Sequence, residues 1–154
     1  MKIRKMRRED LEAVARLEKE VFSDSWSEEL LLDGMSRSWN RFLVAEEGTE
    51  LLGYGMCCIV AGEGEIQRIV VGEMYQKRGL GRELLDKLIT ISRLAGATEM
   101  TLEVREGNQA ARKLYGSAGF QEEARRKDYY QNPKEDAIIM WNRKLAGQHA
   151  GITT

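Results

Sequence analysis

The sequence has little of what most metal, redox or nucleic-acid proteins carry. It holds one histidine and two cysteines in 154 residues. No Cys/His constellation has the spacing of a metal site, so no metal is expected. The histidine, His149, stands in a Gly/Ala/Thr-rich tail. The cysteines are neighbours, Cys57-Cys58, inside an apolar run. Successive side chains of a strand point to opposite faces, so a disulfide between them is not expected. They read as small core residues of a reducing compartment. Charge of one sign is also lacking: 24 basic side chains stand against 25 acidic ones, a net −1. A broad basic field for nucleic acid is therefore absent. No apolar run reaches the roughly 18 residues of a membrane span. Met1-Lys2-Ile3-Arg4 leads straight into a structured pattern, with no signal-peptide features. The expectation is a cytoplasmic protein that engages neither membrane nor nucleic acid directly.

What is present is ordinary globular composition, 42% hydrophobic and 32% charged. The length suits one domain with a real core. No linker rich in proline, glycine or serine divides it and no repeat recurs. We expect one domain over residues 1–145 and a disordered tail over 146–154.

Residues 2–7 read as a short strand. Residues 9–22 carry Leu11, Val14, Leu17 and Val21 on one helical face, together with Glu18. Ser25 with Glu28 fits a capping box ahead of a second helix over 27–36. Residues 41–47 and 51–60 form a hairpin around Gly48-Thr49-Glu50. Gly53 and Gly55 in its second strand mark a bend or a close approach. Residues 65–71 are a strand. A helix follows over 80–95, with a Leu80, Leu84, Leu88, Ile91 stripe and Gly96 beyond its end. Residues 99–104 alternate as a strand. Asn108 caps a helix carrying Ala111, Leu114, Tyr115 and Ala118, closed by Gly119. Residues 120–127 and 137–144 form a final antiparallel pair, joined by a loop over 128–135.

The most informative stretch is Gln76-Lys77-Arg78-Gly79-Leu80-Gly81-Arg82, between the apolar Ile69-Val70-Val71 and a helix. Glycine permits positive φ and close backbone approach. The first turn of a helix offers N–H groups and a dipole that favours an anion. Such a loop can hold a pyrophosphate, with Lys77, Arg78 and Arg82 adding charge. The spacing is neither a Walker A loop nor G-x-G-x-x-G. Read alone, it could also be a basic turn joining strand to helix.

Q-x-x-G-x-G followed by a helix resembles the acetyl-CoA loop of the GCN5-related N-acetyltransferases, the GNAT family. The order of strands and helices is similar to that fold over nearly the whole chain. The resemblance implies an α/β (α+β) architecture, a mixed sheet of about seven strands flanked by four helices. It implies acetyl-CoA as co-substrate, lying where the fourth and fifth strands, 65–71 and 99–104, splay apart. The cofactor residues implied are Lys77, Arg78, Gly79, Leu80, Gly81 and Arg82. Main-chain N–H groups of Ile69, Val70 and Val71 would polarise the thioester carbonyl. Asn108 either caps its helix, contacts the pantetheine arm, or does both.

Acetylation of an amine needs a neutral amine and a stabilised thiolate. Glu103, near the carboxyl end of a strand, can act as general base, directly or through a water. It could instead be an exposed polar side chain or an arginine's partner. Tyr115 can donate to the departing thiolate; it could instead be a core aromatic. In GNAT enzymes a tyrosine at this helix position commonly lies near the CoA sulfur.

Trp26-Ser27-Glu28, Leu102-Glu103-Val104-Arg105 with Asn108-Gln109-Ala110-Ala111, and Tyr129-Tyr130 with Glu135-Asp136-Ala137-Ile138-Ile139-Met140 resemble the bacterial RimI family. That family acetylates the N-terminal alanine of small-subunit ribosomal protein eighteen. The resemblance implies a ribosomal protein terminus as partner, with Tyr129 and Tyr130 walling its slot; they could equally pack on the sheet. Trp26 either lines the acceptor cleft or anchors its loop. Two positions depart from that pattern: Ser25 replaces a proline, and Gly72-Glu73 replaces an acid-proline pair. Other amines remain open as acceptors (a lysine, a polyamine, an amino sugar), as does a non-catalytic acyl-CoA-binding module.

Overall fold

A computed structural model describes residues 1–145; the expected tail and His149 lie outside the described residues. The elements run β1 (Lys2–Lys5), α1 (Leu11–Val21), α2 (Glu28–Met35), β2 (Asn40–Glu47), β3 (Glu50–Val60), β4 (Glu63–Val71), α3 (Leu80–Leu94), β5 (Glu99–Arg105), α4 (Gln109–Ser117), β6 (Gln121–Tyr130) and β7 (Glu135–Asn142). The strands form one mixed sheet in the order β1-β2-β3-β4-β5-β7-β6. This is the expected architecture of seven strands and four helices. No helix among the described residues is long and apolar enough to cross a membrane.

The chain divides into two compact units, one of Met1–Cys58 with Arg68–Leu88, the other of Ile59–Gln67 with the chain from Ile89. In the first unit β1, β2 and β3 pair antiparallel. The apolar stripe of α1 packs Val14 and Leu17 against Leu31, Val44, Tyr54 and Val70. Gly53 marks a close approach, as its position in the strand indicated: a Cβ there would lie 2.5 Å from the Val70 carbonyl oxygen. At Gly55 a Cβ would meet the Leu88 side chain at 2.9 Å. Leu80, Leu84 and Leu88 of α3 are buried, as the stripe required. Cys57 is buried and Cys58 half-buried, and no disulfide joins them.

The second helix corrects one detail. It starts at Glu28, and its cap is Ser27, whose side chain accepts from Leu30 N–H at 3.1 Å. The chain is still outside the helix at Ser25, because the Trp26 N–H is drawn to Glu18.

In the second unit β4 and β5 run parallel. Their register extends from Glu63↔Glu99 to Ile66↔Leu102 and stops there. β5 also pairs with β7, and β7 with β6, both antiparallel. Met100, Leu102 and Val104 are buried on β5 opposite buried residues of β7, including Ile138 and Met140. β6 runs three residues further than expected, to Tyr130. Its register is broken between Arg126 and Tyr130, and Asp128 has φ 54°. Asp136 accepts the Asp128 N–H at 2.8 Å, which carries the strand across the irregularity. Tyr129 and Tyr130 therefore end a strand rather than sit in a loop.

Candidate active site

The candidate residues fall in both units. In the first, β4 ends at Val71, and Gln76 folds back to donate its side-chain amide to the Val71 carbonyl at 3.1 Å. That bond ties the start of the glycine loop to the strand before it. Lys77 has φ 65° and Gly79 φ 82°. A Cβ on Gly79 would meet nothing within 4 Å, so its freedom serves conformation and open approach rather than packing. The first helical bond of α3 runs from Glu83 N–H to Gly79 O at 3.1 Å. The preceding backbone N–H groups, Leu80 and Gly81 among them, have no acceptor within the helix by construction. Lys77 and Arg78 are exposed, and Arg78 stands over the Tyr75 ring at 5.6 Å. Arg82 pairs with Asp86 at 2.9 Å. Main-chain donors at a helix start rimmed by cations have the chemistry that a pyrophosphate requires. Ile69 and Val71 are half-buried and Val70 is buried. Their side chains are ordinary strand residues, and any catalytic contribution rests on the backbone.

Trp26 is half-buried and packs against the core of the same unit. Its N–H donates to Glu18 Oε1 at 2.8 Å, and the Arg68 guanidinium lies 4.1 Å from its ring centroid. That geometry is an anchored loop. Around Glu18 lies a polar network that the sequence reading did not identify. The carboxylate is fully buried; it accepts from the Tyr54 hydroxyl and from Arg68 Nη2 at 3.3 Å. Arg68 also stands over Phe22 at 4.2 Å. Burial, with the Glu18 charge beside it, pushes the Tyr54 hydroxyl far above its ordinary range. The available signal was an acid on the apolar face of α1, one turn from Val14.

The second unit brings four predicted residues together. Glu103 is half-buried on β5, opposite Ile139 of β7. The Tyr129 hydroxyl donates to its carboxylate, and this contact holds the Tyr129 hydroxyl above its ordinary range. Tyr129 meets Tyr130 edge-to-face, with centroids 5.1 Å apart. Burial pushes Tyr130 up to about 12, with the Glu103 charge adding to it. Tyr115, on α4, is also pushed up to about 12 by burial and packs edge-to-face on Phe120 at 6.1 Å. It counts among the charges and dipoles felt by Tyr130, as does Glu103. Asn108 Oδ1 accepts from Ala111 N–H at 3.1 Å, so it does cap α4. The arginine beside Glu103, Arg105, pairs not with it but with Glu135 at 3.1 Å. Arg105 and Glu135 both stood in quoted segments without an assigned role. Among the described residues no group of His, Cys, Asp and Glu is placed to hold a metal ion.

The sequence and the fold have named relatives. Residues 7–120 match the model of the acetyltransferase (GNAT) family. The chain is 35% identical over 133 residues to the ribosomal protein bS18-alanine N-acetyltransferase of Escherichia coli K12, covering 85% of this chain and 89% of that one. It is 32% identical over 134 residues to the enzyme of that name from Haemophilus influenzae, covering 85% and 90%. The crystal structure of the ribosomal-protein-S18-alanine N-acetyltransferase from Escherichia coli superposes with a TM-score of 0.84 at 32% identity, covering 91% of each chain.

Proposed function

Because the chain belongs to the acetyltransferase (GNAT) family and is an acetyl-CoA-dependent N-acetyltransferase, we propose that its acceptor is a protein N-terminus, the terminal alanine of ribosomal protein bS18. The observation that carries this reading is the likeness, at 32% identity or more and over 85% of the chain or more, to enzymes named for that acceptor. The reading puts the reaction in the cytoplasm, where the ribosomal subunit is built.

The co-substrate supplies a thioester. The amine nitrogen bonds to the carbonyl carbon, the C–S bond breaks, and the amine gives up a proton. Main-chain N–H groups of the glycine loop hold the pyrophosphate, with Lys77, Arg78 and Arg82 adding positive charge. The backbone of Ile69, Val70 and Val71 polarises the carbonyl, and Asn108 adds a contact to the pantetheine arm. Glu103 receives the amine proton, directly or through a water. Tyr129 and Tyr130 flank the acceptor, and Trp26 holds the loop preceding α2 for it. An α-amine suits one modest base, since its ordinary pKa is about 7.7–8.0 against about 10.4 for lysine.

Tyr115 acts on the departing thiolate as a hydrogen-bond donor more than as an acid. Its hydroxyl stands at about 12. Full transfer to a thiolate of conjugate acid near 8.5 would be uphill by roughly 5 kcal/mol at 1.36 kcal/mol per unit. A hydrogen bond to a charged group is worth about 1.5–3 kcal/mol. Tyr115→Phe should therefore lower kcat by roughly tenfold to a hundredfold, with the KM for acetyl-CoA little changed. Steady-state kinetics with both substrates varied checks this; an unaltered kcat would remove Tyr115 from the mechanism.

The acceptor is tested with a hexapeptide matching the mature bS18 terminus. Its control has a blocked α-amine and a free internal lysine. Turnover on the free terminus alone is the expected result. Turnover on the blocked peptide would move the enzyme to the side-chain amine class.

A further inference from the structure

We propose that Arg105 is a positioning residue that fixes Tyr129 and Tyr130 beside Glu103 and thereby sets the productive binding of the acceptor. The inference rests on the reading that the α-amine is received at Glu103 between the two tyrosines.

Glu103 and Arg105 are two apart on β5, so their side chains leave the strand on the same face. Arg105 does not neutralise Glu103. Its guanidinium is spent on the segment that follows the tyrosines. Nη1 donates to the Pro133 carbonyl at 2.9 Å and to Glu135 Oε1 at 3.1 Å, and Nη2 donates to the Gln131 carbonyl at 2.9 Å. The same guanidinium lies over the Tyr130 ring, 4.5 Å from its centroid. Tyr130 in turn meets Tyr129 edge-to-face, and Tyr129 donates to Glu103. The contacts thus form a closed circuit that leaves β5 at Arg105 and returns to it at Glu103.

Glu135 fastens the circuit at its other end. Its second oxygen accepts the Gly107 N–H at 2.7 Å, in the turn that leads to Asn108 and α4. That bond, with Arg105 behind it, holds the Glu135 carboxyl below its ordinary range. One guanidinium therefore sets the end of β6, the start of β7 and the turn into α4 together. A planar fork with a stacking face is required; a lysine ammonium supplies neither. Tyr129 is 45% exposed, so little core packing holds it otherwise.

The test uses the full chain, acetyl-CoA and the hexapeptide. Arg105→Ala should lower peptide kcat/KM by about tenfold, the size expected when a hydrogen bond to a charged group is lost. The KM for acetyl-CoA should stay within about twofold, because no contact to the glycine loop is removed and Asn108 keeps its own bond to the Ala111 N–H. Arg105→Lys should not restore the loss. In a Tyr129→Ala/Tyr130→Ala background the same Arg105→Ala change should cost less than about threefold, since residues acting through one another are non-additive. Should Arg105→Ala fail to fold, Gly107→Ala decides. Its Cβ would lie 2.6 Å from Glu135 Oε2, displacing the carboxylate while keeping the guanidinium. It should weaken peptide kcat/KM in the same direction, and unchanged kinetics in that variant would overturn the proposal. So would parental peptide kinetics in Arg105→Ala, an equal loss in both backgrounds, or a parallel rise in acetyl-CoA KM. Lack of turnover by the parent enzyme on any peptide terminus is a different result, which refutes the acceptor reading itself.

Discussion

Glu103→Gln is expected to lower kcat/KM for the peptide acceptor by a factor of about 10² to 10⁴ near neutral pH, the range a positioned general base contributes. The substitution keeps the size of the side chain and an acceptor oxygen for the Tyr129 hydroxyl, so the contact between β5 and β6 survives. What disappears is the carboxylate proposed to take the amine proton. The defect should depend on pH in a particular way. An α-amine with a pKa near 8 is about one-tenth neutral at pH 7 and about nine-tenths neutral at pH 9. The variant can use only amine that arrives neutral. Its deficit relative to the parent should shrink by about tenfold across that interval. Tyr115 and Tyr130, both pushed to about 12, stay protonated throughout and add no titration of their own. Rate profiles of parent and variant check the prediction. A deficit that stayed constant with pH would mean that Glu103 orients the acceptor without taking its proton.

Arg68→Leu should cost about 3–5 kcal/mol of stability, the usual penalty for removing one partner of a buried ion pair. Glu18 has no solvent exposure, and Arg68 is its cation. Nη2 is within hydrogen-bond distance of Oε1, whereas Nε lies 3.2 Å from Oε2 without hydrogen-bond alignment. The remaining partners of Glu18, the Tyr54 hydroxyl and the Trp26 N–H, carry no charge to balance it. Leucine also gives up the stacking on Phe22 and Trp26. For a chain of this length the loss corresponds to a fall in Tm of roughly 10 °C. Glu18→Gln should be milder, about 1–3 kcal/mol, because it keeps an acceptor and the charge it leaves unpaired, on Arg68, is in part exposed. Thermal unfolding of the three proteins measures this. A Tm for Arg68→Leu within a degree or two of the parent would show that water already relieves the Glu18 charge.

The contrast between these two sites explains what could be read from the sequence. The stripe of α3, the alternation on β5 and the caps at Ser27 or Asn108 depend on neighbours two to four residues away. Local pattern carries them, although the choice of Ser27 over Ser25 already needed the distant carboxylate of Glu18. The strand-loop-helix course of the glycine loop was legible for the same reason, since Gly79 and the first turn of α3 lie within a few residues of each other. Glu18 finds Tyr54 36 positions away and Arg68 50 positions away. Arg105 finds Gln131, Pro133 and Glu135 between 26 and 30 positions away. No periodicity encodes such partners. The extension of β6 to Tyr130 escaped for a related reason: an irregular register around Asp128 breaks the alternation that marks a strand. The resemblance reached further than pattern, because it singled out Tyr115, Tyr129 and Tyr130, which fall in one unit with Glu103. It left Arg105 and Glu135 as unassigned letters of a motif.

The most direct measurement is to treat intact bS18 bearing its mature terminus with this enzyme and acetyl-CoA, and to locate the acetyl group by tandem mass spectrometry. A single acetyl group on the α-nitrogen of the terminal alanine, lost in Glu103→Gln, is the expected result. Acetyl groups on lysine side chains with the terminus unmodified would contradict the assignment of the acceptor and of the site that receives it.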